Sequence, residues 1–82
     1  MKEQKEHLVI ISNFGTYWAG LNTWTDQIRK AQFYNSEKKA IEAAKDAIER
    51  HNKVRDEEHQ ITSYKLLTIS FNILKETEWK TV

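Results

Sequence analysis

Cysteine is missing from this chain, proline is missing too, and glycine occurs only twice, at Gly15 and Gly20. Without cysteine no disulfide can staple the fold, which fits a reducing, cytoplasmic setting. No thiolate is present to join His7, His51 and His59, which share no metal-ligand spacing and read as solvated surface groups. Two isolated glycines do not build a phosphate-cradling loop, so a nucleotide-loop motif is not expected. Long hydrophobic runs are missing as well. Leu8-Val9-Ile10-Ile11 is too short for a signal peptide or a membrane span, and no membrane association is expected. Charge is nearly balanced, with 13 basic residues against 12 acidic ones and a net charge of +1. Proteins that depend on nucleic-acid affinity show a basic excess and DNA mimics an acidic one; neither is present.

The remaining polar residues suggest no reaction. Asp56-Glu57-Glu58 reads as a wet loop, and nothing fixes two carboxylates across a cleft. Ser12, Ser36, Ser63 and Ser70 carry no nucleophile signature. The expectation is a protein with no catalytic residue, no metal and no cofactor.

The most legible stretch runs from Ala31 to Lys53. Asn35-Ser36 ends a short apolar piece, and the Ser36 hydroxyl is placed to accept from an unpaired N–H of the first helical turn. Glu37 suits the positive end of the helix dipole, while Arg50, His51, Lys53 and Arg55 suit the negative end. Ala40, Ile41, Ala44, Ala47 and Ile48 recur at helical spacing and make a narrow, alanine-rich stripe that can lie close against a sheet. Asp46–Arg50 and Glu49–Lys53 form favourable i,i+4 pairs, each contributing roughly 0.2–0.5 kcal/mol.

Around this helix the chain reads as strands. His7–Ser12 is β-branched and apolar on both faces, as a central strand is. Asn13-Phe14-Gly15 offers a turn, and Thr16–Ala19 a returning strand. Thr23–Ala31 reads as a single helical turn placing Ile28 and Ala31 on one side, with continuation of the strand through Trp24 as the alternative. Ile61–Leu74 is read as one long strand. In it Leu67, Ile69, Phe71 and Ile73 face inward and Thr68, Ser70 and Asn72 outward, with a bulge near Tyr64–Leu67. The expected fold is one α+β domain over residues 1–82: a three-stranded, mostly antiparallel sheet with one amphipathic helix on one face, in β-β-α-β order. Residues 1–6 are expected to fray, while Lys75–Val82, polar apart from Trp79 and Val82, is expected either to extend the last strand or to lie loose, with fraying over about 76–82.

Trp24-Thr25-Asp26-Gln27-Ile28-Arg29-Lys30-Ala31, followed by Phe33, Ser36 and Ala40, resembles a stretch found in short uncharacterised bacteriophage and prophage proteins of Gram-positive bacteria. The resemblance spans roughly residues 8–48. It implies a phage origin, the host-cell cytoplasm as location, and a role as an anti-defence or host-takeover inhibitor. It brings over no catalytic residue.

The aromatic residues exceed what folding requires. Phe14, Tyr17, Trp18, Trp24, Phe33 and Tyr34 place six of the nine aromatics within one short segment. Phe33 and one tryptophan are expected to close the sheet–helix interface. Tyr17 and Trp18 are adjacent, so in a strand they point to opposite faces, and a single helix covers only one. Tyr17, Trp18, Trp24 and Tyr34 are therefore the candidate partner-binding residues, for a host or defence protein or a second copy in a homodimer. The competing expectations are two. One is single-stranded nucleic acid stacked on Tyr17 or Trp18 with phosphates on Arg29, Lys30, Lys38 and Lys39. The other is a small molecule such as a signal nucleotide.

Overall fold

The run His7–Ser12 forms β1, and it is apolar on both sides because it lies in the middle of the sheet. The computed structural model of the protein describes residues 7–70 and 73–82; the expectations for residues 1–6, and for Phe71 and Asn72, lie outside the described residues. β1 pairs antiparallel with β2 (Tyr17–Gly20) on one side and with β4 (Ser63–Ser70) on the other. β3 (Thr23–Thr25) extends the sheet beyond β2 and β5 (Ile73–Glu76) beyond β4, while β6 (Lys80–Thr81) pairs with Ser63 and Tyr64 of β4. The order is β3-β2-β1-β4-β5, with β6 beside β4. α1 (Glu37–Lys53) crosses one face between β3 and β4. The class is α+β as expected, but among the described residues six antiparallel strands replace the expected three.

The undercount has three local causes. The run read as one strand turns back on itself, so that Ser70 pairs with Ile73 and Leu67 with Glu76. Thr23–Thr25 pairs with β2 and only afterwards does the chain make a 3-10 turn, at Ile28–Lys30. The two residues of β6 are too few to show any periodicity. Gly20, at φ +85°, opens the turn between β2 and β3, with Leu21 and Asn22 also left-handed at +52° and +59°.

α1 starts where its cap places it: the Ser36 hydroxyl accepts from the Lys39 N–H at 3.3 Å. Ala40, Ala44, Ala47 and Ile48 are buried against Leu8, Ile10, Trp18, Tyr64 and Leu66, with Ile41 at the edge. Asp46 and Arg50 pair at 3.2 Å, whereas Glu49 and Lys53 form no ion pair among the described residues. At the helix exit Asn52 donates to the Ile61 carbonyl at 3.0 Å and accepts from the Ile61 N–H at 2.8 Å. Its side chain thus pairs with the backbone as a strand would, fixing the approach to β4. No helix among the described residues is long and apolar enough to cross a membrane.

The face assignment of β4 is reversed from expectation. Ile10 pairs with Leu66 and Val9 with Leu67, so Tyr64, Leu66 and Thr68 share the helix side while Leu67 and Ile69 share the other. The β1–β4 register runs unbroken from His7↔Ile69 to Ser12↔Tyr64, so β4 carries no bulge on that side. On its other side the register slips by one residue between Tyr64↔Lys80 and Leu67↔Glu76, with the extra residue in the C-terminal segment, and a second irregularity lies between β2 and β3, at Trp18/Gly20. The physical reason is that both sheet faces are apolar at this strand. Alternation then shows that faces exist without showing which one meets the helix. Phe33 is also displaced from its expected place. It is exposed, with its ring edge-on to His7 at 5.5 Å, and the interface is closed by Trp18.

Candidate functional site

Tyr17 and Trp18 do part to opposite faces, and the division decides which can meet a partner. Trp18 points to the helix and is buried in the core. Trp24 lies against it, with ring centroids 5.2 Å apart, and Trp24 in turn meets His51 edge-on at 6.3 Å. The Trp18 indole N–H donates to the Tyr34 hydroxyl at 3.0 Å. Burial pushes the Tyr34 phenol above its ordinary range, and the Trp18 N–H draws it part of the way back. Of the four residues expected to bind a partner, Trp18 therefore serves the fold. Trp24 and Tyr34 are half-buried beside it, and Tyr17 stands alone on the far face.

That far face has an apolar floor. Val9, Ile11, Ala31 and Leu67 are buried there, with Tyr17 and Ile69 packed at the margin. The register sets Tyr17, Ile11 and Lys65 abreast across three strands. The Lys65 ammonium donates to Glu76 at 2.7 Å and lies 4.6 Å from the centre of the Trp79 ring, a cation–π contact. Phe14 and Trp79 are each about half exposed. With Ile11, Tyr17, Lys65 and Glu76 they line a shallow cavity of about 430 Å³ beside the Asn13–Gly15 turn.

Tyr17 and Phe14 are legible in the sequence as members of the aromatic cluster, whereas Trp79 lies in a polar segment that reads equally as a strand extension or a loose end. Its position depends on β6, whose pairing with β4 holds the C-terminal segment against the sheet. The only signal for it was a tryptophan in an otherwise polar stretch. The chemistry the cavity offers is recognition: aromatic rings for contact area and an internally matched ion pair that leaves no uncompensated charge.

The other sequence candidates lie elsewhere. Arg29, Lys30, Lys38 and Lys39 are exposed on the 3-10 turn and the first turn of α1. His51 and His59 do meet at the helix exit, where His51 Nε2 lies 3.0 Å from the His59 carbonyl oxygen. His59 also bonds Asp56, and this holds the Asp56 carboxyl below its ordinary value. Among the described residues no group of three or more His, Asp or Glu could hold a metal ion.

No family model, curated protein or solved structure matches the chain.

Proposed function

We propose that this is a small, non-enzymatic binding protein, a phage-encoded inhibitor or adaptor that grips a host or defence protein in the cytoplasm. The gripping surface is the sheet face opposite α1. One observation carries the reading: on the side of the sheet away from α1, Tyr17, Phe14 and Trp79 line one shallow cavity together with Ile11, the edge of that side's apolar cluster. Rings so placed are the usual anchors of protein interfaces, and burying one stabilises a complex by a few kcal/mol at roughly 25 cal/mol per Å². Lys65 and Glu76 neutralise each other, so an apolar partner surface meets no stranded charge. Single-stranded nucleic acid is the weaker occupant, because Lys65, the cation lining this cavity, is already paired.

The test is a photo-crosslinking residue placed at Trp79, with a second variant at Glu42 on the outer side of α1 as control. Capture of one cellular protein at position 79 but not at 42, lost on Tyr17→Asp, is the expected result. A crosslinked pair of this chain would make the homodimer the partner. Equal labelling at both positions would overturn the proposal.

A further inference from the structure

A second recessed region lies on the helix side, where the β2–β3 hairpin meets the last turns of α1. Two adjoining cavities of about 240 and 250 Å³ share Trp24, His51 and Arg55 as a common wall. Beyond that wall they differ in chemistry. One is closed by Phe14 and Ile61, with Thr16 and His59 offering polar edges. The other holds Arg50 and Asn22. No carboxylate lines either cavity. Arg50 leans on Asp46 and His59 on Asp56, but Arg55 has no ion-pair partner among the described residues.

We propose that this groove binds a small molecule carrying a planar aromatic ring and an anionic group, of the class of a nucleoside monophosphate. The ring lies against Trp24 in the cavity closed by Phe14 and Ile61, and the phosphate sits in the other, within reach of Arg55 on the shared wall. Each cavity is smaller than a usual ligand pocket of roughly 300–1,000 Å³, so each suits one part of a two-part ligand. A half-buried tryptophan offers a stacking surface to any base. A guanidinium offers the two-pronged donor set that matches phosphate geometry. The helix end itself repels an anion, because its dipole is negative there. Arg55 lies beyond Lys53, the last residue of α1, so the phosphate can be held past the helix end rather than on it. This site is separate from the sheet face proposed above and shares only Phe14 with it.

The experiment titrates ¹⁵N-labelled protein with the four nucleoside 5′-monophosphates, with adenosine and with inorganic phosphate, in wild type and in Arg55→Gln. The Arg55 side chain is exposed, and its residue's bond to Gln60 uses the main-chain carbonyl, so the substitution leaves the fold intact. At least one monophosphate should shift the Trp24 indole and His51 signals, with adenosine or phosphate alone binding about tenfold more weakly. Arg55→Gln should bring the monophosphate down to the affinity of the nucleoside. A Trp24 signal unmoved by all four nucleotides would overturn the proposal, as would binding indifferent to Arg55→Gln or reproduced by phosphate alone. None of these failures bears on crosslinking at Trp79.

Discussion

The indole of Trp18 and the hydroxyl of Tyr34, sixteen residues apart, are joined by a 3.0 Å hydrogen bond at the rim of the core. The bond ties β2 to the segment that enters α1, next to the backbone pairing of Tyr34 with Leu8. It also lets a buried tryptophan keep its one donor satisfied. Tyr34→Phe removes the acceptor and strands that donor, so stability measured by urea unfolding should fall by about 1–3 kcal/mol. A neutral substitution would mean that water reaches the indole.

The helix offers a comparison of its two sides. Ile48 is fully buried, and Ile48→Asp should cost roughly 3–5 kcal/mol by placing a charge in the core. Glu42 is exposed, and Glu42→Ala should change stability by no more than about 0.5 kcal/mol. Comparable losses in the two variants would contradict the observed packing.

Ser36 can be tested through its cap. Ser36→Ala should destabilise by about 0.5–2 kcal/mol, since the Lys39 N–H loses its acceptor. Ser36→Asp should be nearly neutral, because a carboxylate accepts the same bond and suits the helix N-terminus. Equal losses would give Ser36 a different task.

Leu21 stands at φ +52° with almost its whole surface in water. A leucine in the left-handed region costs roughly 1–2 kcal/mol, and an exposed side chain gains nothing in return. Leu21→Asn should therefore raise the melting temperature, since Asn tolerates that backbone at the first position of such a turn. A lowered melting temperature would reveal a stabilising contact of Leu21.

Alkaline pH should loosen the core. Burial raises the phenol pKa of both Tyr34 and Tyr64, so each is held neutral in the folded chain beyond the pH at which it ionises when unfolded. The sign follows: this contribution is complete below the unfolded tyrosine value of about 10, and fades as pH climbs through the folded values. Phenolate absorbance and loss of ellipticity should rise together above that point. Ionisation of every tyrosine with ellipticity unchanged would refute the linkage.

Local signals sufficed for part of this fold. Ser36, Glu37 and the Ala40–Ile48 stripe make α1 legible, because capping and 3.6-residue periodicity act within a few turns of chain. The run Leu8–Ile11 is legible as a central strand for a similar reason. Phe33, expected at the sheet–helix interface, is exposed, and Trp79, in a segment expected to extend the last strand or lie loose, stands against Lys65 of β4. Nothing near either residue in the chain reveals what lies across from it in space.

The sequence by itself determined the α+β class, the helix with its cap and inner side, and the parting of Tyr17 from Trp18. Each of these follows from dihedral preference or side-chain period, which the local chain carries. Only the tertiary structure decided the six-strand count, the side of β4 that meets α1, and the gathering of Phe14, Tyr17 and Trp79 around Lys65. Those depend on register with β1 and on the return of β6. With Leu66 and Leu67 apolar in succession, a slip of one residue would bury a leucine either way, and only pairing between distant strands could choose.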